Sequence, residues 1–184
     1  MKMAGALIAL FVFALTGAAL AQLQNENLLV TMPQGFKVGF QDKKNNMQMT
    51  EMVPSNETVE NWTEMVTVQI YFGLKTTPAQ FKDRIEKGWV SACPGGRAHP
   101  VSDDAENGYP ALIWVLSCER NPKTGKPEIT WFKAVQGNDS FYVVQKAFRF
   151  MPAQEQMTKA LAYLGTVKVC DSRRSDRACP RARN

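Results

Sequence analysis

The sequence is poor in the residues from which active sites are most often assembled. It holds one histidine, His99, so any catalytic triad or metal site that needs imidazole has a single candidate, placed in a Gly/Pro-rich stretch from Gly95 to Pro100. No G-x-S-x-G, H-E-x-x-H or C-x-x-C run occurs. There are only four cysteines, none near the start of the polar sequence, which argues against an acylated N-terminal cysteine. The acidic residues Asp103, Asp104 and Glu106 lack the alternation of a calcium-binding loop and read as a solvated turn before Asn107-Gly108. Aromatic residues are missing from the arginine-rich end, which argues against base stacking and nucleic acid. These absences together predict a protein that is not an enzyme and needs no cofactor.

The N-terminus, by contrast, is explicit. A short basic start, Met1-Lys2-Met3, precedes an uncharged run from Ala4 to Ala21 that ends Ala19-Leu20-Ala21. The small residues suit a signal peptidase, so residues 1–21 are expected to be a signal peptide, with the mature chain starting at Gln22. No later segment is apolar for long enough to span a bilayer, and the expected location is periplasmic or secreted. The rest divides into a single domain, 22–170, and a basic tail, 171–184, carrying Arg173, Arg174, Arg177, Arg181 and Arg183. Much of the net charge of +5 sits in that tail, leaving the folded part nearly neutral.

An even number of cysteines in an exported chain points to disulfides, and Cys93, Cys118, Cys170 and Cys179 allow three pairings. Cys93 with Cys118 and Cys170 with Cys179 is preferred, because each bridge joins the ends of neighbouring segments. On the chain-entropy account the two loops would contribute about 3.5 and about 2.7 kcal/mol.

Strand patterns are expected at Leu28 to Met32, Phe36 to Phe40, Met47 to Val53 and Trp62 to Phe72, with the polar run Gln41 to Asn46 reversing the chain between the second and third. In the fourth, Trp62 and Val66 share a face. A helix should start at Thr77-Pro78, where Thr77 and Gln80 form a capping box, and should show an apolar stripe of Phe81, Ile85 and Trp89. Further strands are expected near Ala98 to Ser102, Pro110 to Cys118, Glu128 to Gln136, Phe141 to Phe150 and, briefly, Thr166 to Val169. A second helix from Pro152 would bury Met157, Leu161 and Leu164 and end at Gly165. Runs of strands separated by helices imply an α+β fold, an antiparallel sheet with two main amphipathic helices.

The Met32-Pro33-Gln34-Gly35-Phe36 opening, the Thr77-Pro78 helix start and the final amphipathic helix resemble the PsbP-like and Mog1-like domains over about residues 26 to 170. That resemblance implies an α/β/α sandwich and a binding or accessory role, and it carries no functional residue with it.

Two chemical signals remain. Met47 and Met49 fall on one strand face roughly 7 Å apart, and soft thioethers suit Cu(I) in an oxidising compartment, so a periplasmic Cu(I)-binding protein is the alternative to an accessory module. The tail arginines could engage an envelope protein or an anionic lipid surface. Glu51, Glu64 and Glu128 lie in strand patterns and would be the carboxylates available to a hydrolase.

Overall fold

A computed structural model describes residues 23–180. The first half runs β1 (Glu26–Leu29), β2 (Phe36–Lys44), β3 (Met47–Pro54), β4 (Glu64–Phe72) and helix α1 (Pro78–Ala92). The second runs β5 (Arg97–Glu106), β6 (Tyr109–Cys118), β7 (Glu128–Gln136), β8 (Ser140–Phe148), helix α2 (Gln154–Thr166) and β9 (Lys168–Asp171). Seven strands form one antiparallel sheet in the order β2-β3-β4-β8-β7-β6-β5, and β1 pairs with β9 as a separate ribbon. The fold is α+β. The expected signal peptide, Arg181 and Arg183 lie outside the described residues.

Strand alternation splits the sheet into two faces. On one, Leu112, Trp114, Leu116, Phe132, Ala134, Phe141 and Val143 meet Phe81, Ile85 and Trp89 of α1. The start of α1 follows from its sequence: Thr77 Oγ1 accepts from the Gln80 N–H at 3.2 Å and Gln80 Oε1 accepts from the Thr77 N–H at 3.1 Å. On the other face, Val66, Ile129, Trp131, Val144 and Phe148 meet Ala160 and Leu164 of α2. The sheet is thus sandwiched between its helices.

Several expectations are corrected. The run Gln41 to Asn46 does not reverse the chain: β2 continues to Lys44, and the reversal is confined to Asn45-Asn46, both at positive φ, as a tight hairpin requires. Likewise Asp103 and Glu106 sit on β5, and only Asn107-Gly108 forms the turn. Both strands are sheet edges, and an exposed edge needs no apolar alternation, so polar composition hid them. The first strand is Glu26–Leu29 rather than Leu28 to Met32, because its partner β9 lies at the other end of the chain. β4 begins at Glu64, and Trp62 packs with Val53, Met65 and Ala147, on the face opposite Val66.

In α2, Leu161 is exposed and Ala160 takes its place on the sheet. The small side chain lets the helix approach closely between Met157 and Leu164. Gly165 is helical, and the helix ends at Thr166 with Val167 as its extended cap residue.

Residues 171–180 are folded. Asp171 belongs to β9 with its side chain 1% exposed, and residues 175–177 form a 3-10 turn. The disulfides are Cys93–Cys118, which ties the end of α1 to the end of β6, and Cys170–Cys179, which ties this stretch back onto β9.

Candidate ligand groove

A cleft of about 340 Å³ opens between α2 and the part of the sheet formed by β2, β4 and β8. Gln156, Lys159, Ala160 and Tyr163 of α2 form one wall, Pro33 and Phe36 the other, and Glu64, Lys146 and Phe148 lie at its base. Register explains the convergence. Glu64 pairs with Phe148 across β4 and β8, and Val66 with Lys146, which brings the Glu64 and Lys146 side chains side by side on the α2 face.

Lys146 sits where the strand pattern calls for an apolar residue. Its Nζ lies 2.6 Å from Glu64 Oε2, 4.5 Å from the centre of the Phe36 ring and 5.2 Å from that of Phe148. The ammonium is therefore held by one carboxylate and two aromatic faces, an arrangement that offsets the loss of hydration. Its side chain is 9% exposed, that of Glu64 29%. Tyr163 closes one end by donating its hydroxyl to the Thr31 carbonyl at 2.9 Å, and burial pushes that phenol up to about 12. At the other end Gln156 Oε1 accepts from the Ala153 N–H at 2.8 Å and so covers the open start of α2. Met32, Val38, Met151 and Leu161 neighbour these residues along the chain and are exposed.

A second lysine on the same face is structural. Lys133, 4% exposed, contacts Glu106 Oε2 at 2.7 Å and donates to the carbonyls of Leu164 and Val167 at 3.2 and 2.7 Å. Those carbonyls lie at the end of α2, so the cation meets acceptors at the negative end of the helix dipole, adding to the Val167 N–H that already reaches Leu164.

The residues singled out from sequence are scattered. Met47 and Met49 share the α1 face of β3, but Met49 Sδ already accepts from Gln69 Nε2 at 3.9 Å. Met52 is on the opposite face, and Met65 is buried beneath Trp62, so no third thioether joins the pair. Among the described residues no three His, Cys, Asp or Glu side chains are grouped to hold a metal. His99 is exposed on β5 rather than in a loop. Glu51 is half-buried with its carboxyl pushed up by burial, Glu128 accepts from Asn121 Nδ2 at 2.7 Å, and Glu64 is the partner of Lys146; the three do not meet.

The described arginines after Cys170 are engaged with local groups. Arg173 bridges Asp171 and Asp139 at 2.6 and 2.7 Å, holding the Asp171 carboxyl down to about 2. Arg174 pairs with Asp176 at 3.0 Å. Arg177 lies 4.2 Å over the Tyr109 ring and packs on Gly108, whose φ of +75° and close neighbour both suit a residue without Cβ.

Lys146 and Phe36 were absent from the sequence-based candidates. The available signal was a lysine inside the apolar run of β8, at the parity of core residues.

The architecture is similar to that of the Ran-binding protein Mog1p of Saccharomyces cerevisiae, at 10% identity and a TM-score of 0.44, covering 77% of this chain and 85% of that one. A point mutant of Mog1 aligns at 11% identity and a TM-score of 0.43, covering 76% and 85%. LpqN, involved in cell envelope biogenesis of Mycobacterium tuberculosis, aligns at 11% identity and 0.41, covering 80% and 86%. These likenesses concern the fold alone. No protein-family model matches the chain, and no curated protein matches it.

Proposed function

We propose that the protein is a non-enzymatic binding module of the cell envelope that takes its ligand or partner segment in the groove between α2 and the sheet. The observation that carries this reading is the groove itself: a largely apolar cleft with one buried ammonium at its base and exposed apolar residues near its walls. Ligand pockets commonly have this composition, with apolar walls for affinity and few polar groups for orientation. Two disulfides and the signal-peptide pattern at residues 1–21 support export to an oxidising compartment. No helix among the described residues is long and apolar enough to cross a membrane.

The test is an affinity capture from native envelope extract with the protein expressed with its leader and recovered after export. A Lys159→Trp variant, altered at a side chain that is 74% exposed, serves as the blocked control. A component retained by the wild type and lost from the variant supports the groove. Identical capture by both proteins excludes it.

A further inference from the structure

Resting on that reading, we infer that the groove binds a small anionic amphiphile, a fatty-acid-like carboxylate that enters head first and places its oxygens on Lys146. An ammonium carries three N–H donors. Among the described residues, Lys146 Nζ has one oxygen partner, Glu64 Oε2; its other close neighbours are the Phe36 and Phe148 rings, which accept no full hydrogen bond. Two donors of a nearly buried cation are therefore left for a ligand, in a cleft where an unmade charged hydrogen bond is expensive.

The spare donors select the sign of the ligand. Glu64 already balances the charge of Lys146, so a ligand oxygen is drawn by the unmatched N–H groups, which a charged acceptor satisfies better than a neutral one. Lys159 at the mouth pairs with Glu155, and with both side chains about three-quarters exposed water screens that pair. A bare anion would gain little from the walls. Phe36, Phe148, Ala160, Tyr163 and Pro33 present carbon surface that rewards an apolar body behind the charged head. A cationic amphiphile would meet Lys146 with like charge, and a neutral alcohol would offer it only an uncharged acceptor.

The experiment is calorimetric titration of the exported protein with decanoate, decanol and decyltrimethylammonium, below their aggregation concentrations. Decanoate is expected to bind about tenfold more tightly than decanol, the ratio given by one charge-assisted hydrogen bond, with decyltrimethylammonium weakest. Removing one partner of the ion pair could unfold the site by stranding the other, so the main variant is the double substitution Lys146→Met with Glu64→Gln. Its decanoate-to-decanol ratio should fall to about one, while Lys146→Arg should keep the preference. Equal binding of decanoate and decanol by the wild type, a preference that survives in the double variant, or no decanoate binding at millimolar concentration would each overturn the ligand assignment. If decanoate fails while Lys159→Trp still loses an envelope component, the groove reading stands and only the ligand class falls. If Lys159→Trp loses nothing, the groove reading falls too.

Discussion

The two faces of the sheet are built from alternate residues of the same strands, yet they bury different chemistry. Beneath α1 the layer is aromatic and aliphatic: Trp114 stacks on Phe132 at 4.8 Å, and Phe81 lies against Phe141 and Tyr71. Beneath α2 the same strands present Lys133, Lys146 and Tyr142 among their apolar residues. The α1 face, whose buried polar groups such as the Thr130 hydroxyl and the Trp114 indole N–H are all neutral, serves cohesion. A face that also holds two ammonium groups has accepted a desolvation cost, and each group is matched by specific partners. The contrast separates what Lys133 does, which is to finish a helix, from what Lys146 does, which is to stand at the base of a cleft with donors to spare.

That contrast can be broken from either side. The largest effect should come from the α1 face: Trp114→Ala is expected to lower stability by about 3–5 kcal/mol in chemical denaturation, because a fully buried ring leaves a cavity that its neighbours fill only in part. On the α2 face, Lys133→Met should cost about 3 kcal/mol by stranding Glu106 and the end of α2. Adding Glu106→Gln should recover part of that loss, which no second substitution at an apolar position would do. If Lys133→Met proves neutral, the distinction between the faces disappears.

Away from both faces, replacing Cys170 and Cys179 with alanine should lower stability by about 2.7 kcal/mol and lower the proteolytic resistance of the segment after β9. The smallest effect concerns pH. The folded Asp171 carboxyl is depressed to about 2 from an ordinary 3.8, so its contribution is fully present above about pH 4 and is lost as pH falls towards 2. Asp171→Asn should lower stability at neutral pH and flatten the loss of stability between about pH 4 and pH 2, with the pH dependence above 4 unchanged. An acid denaturation profile identical to the wild type would show that the Arg173 pair contributes nothing.

Much of the α1 face is legible in the sequence, because its information is local. Thr77, Pro78 and Gln80 announce the helix within four residues, and Phe81, Ile85 and Trp89 recur at the spacing that buries them. The interior strands read well for the same reason: β7 matches its expected limits, Glu128–Gln136. The edge strands β2 and β5 do not, since polar side chains at a sheet margin follow no burial pattern. The groove is hidden for a different reason. Glu64 and Lys146 are 82 residues apart, and Phe36 is more distant still, so their meeting depends on strand order rather than on any run of residues. Lys146 shows only that a charge sits where carbon is expected. The register across β4 and β8 gives it a partner.

The β1–β9 ribbon has a consequence for the order of events by which the chain folds. Glu26 to Leu29 pairs with Lys168 to Asp171, and the Glu26 carboxylate is gripped by the Asn138, Asp139 and Ser140 amides and the Tyr142 hydroxyl of the β7–β8 hairpin. A Cβ on Gly137 would collide with that carboxylate, so the hairpin is shaped to receive it. A polypeptide delivered N-terminus first, from a ribosome or through a membrane, exposes its first strand long before the last one emerges. The seven-stranded sheet can assemble from neighbouring hairpins, whereas the ribbon must close a loop of almost the whole chain and has to wait for the end of the sequence. The first strand is therefore a late joiner, and completion of the fold is timed by arrival of the C-terminal segment.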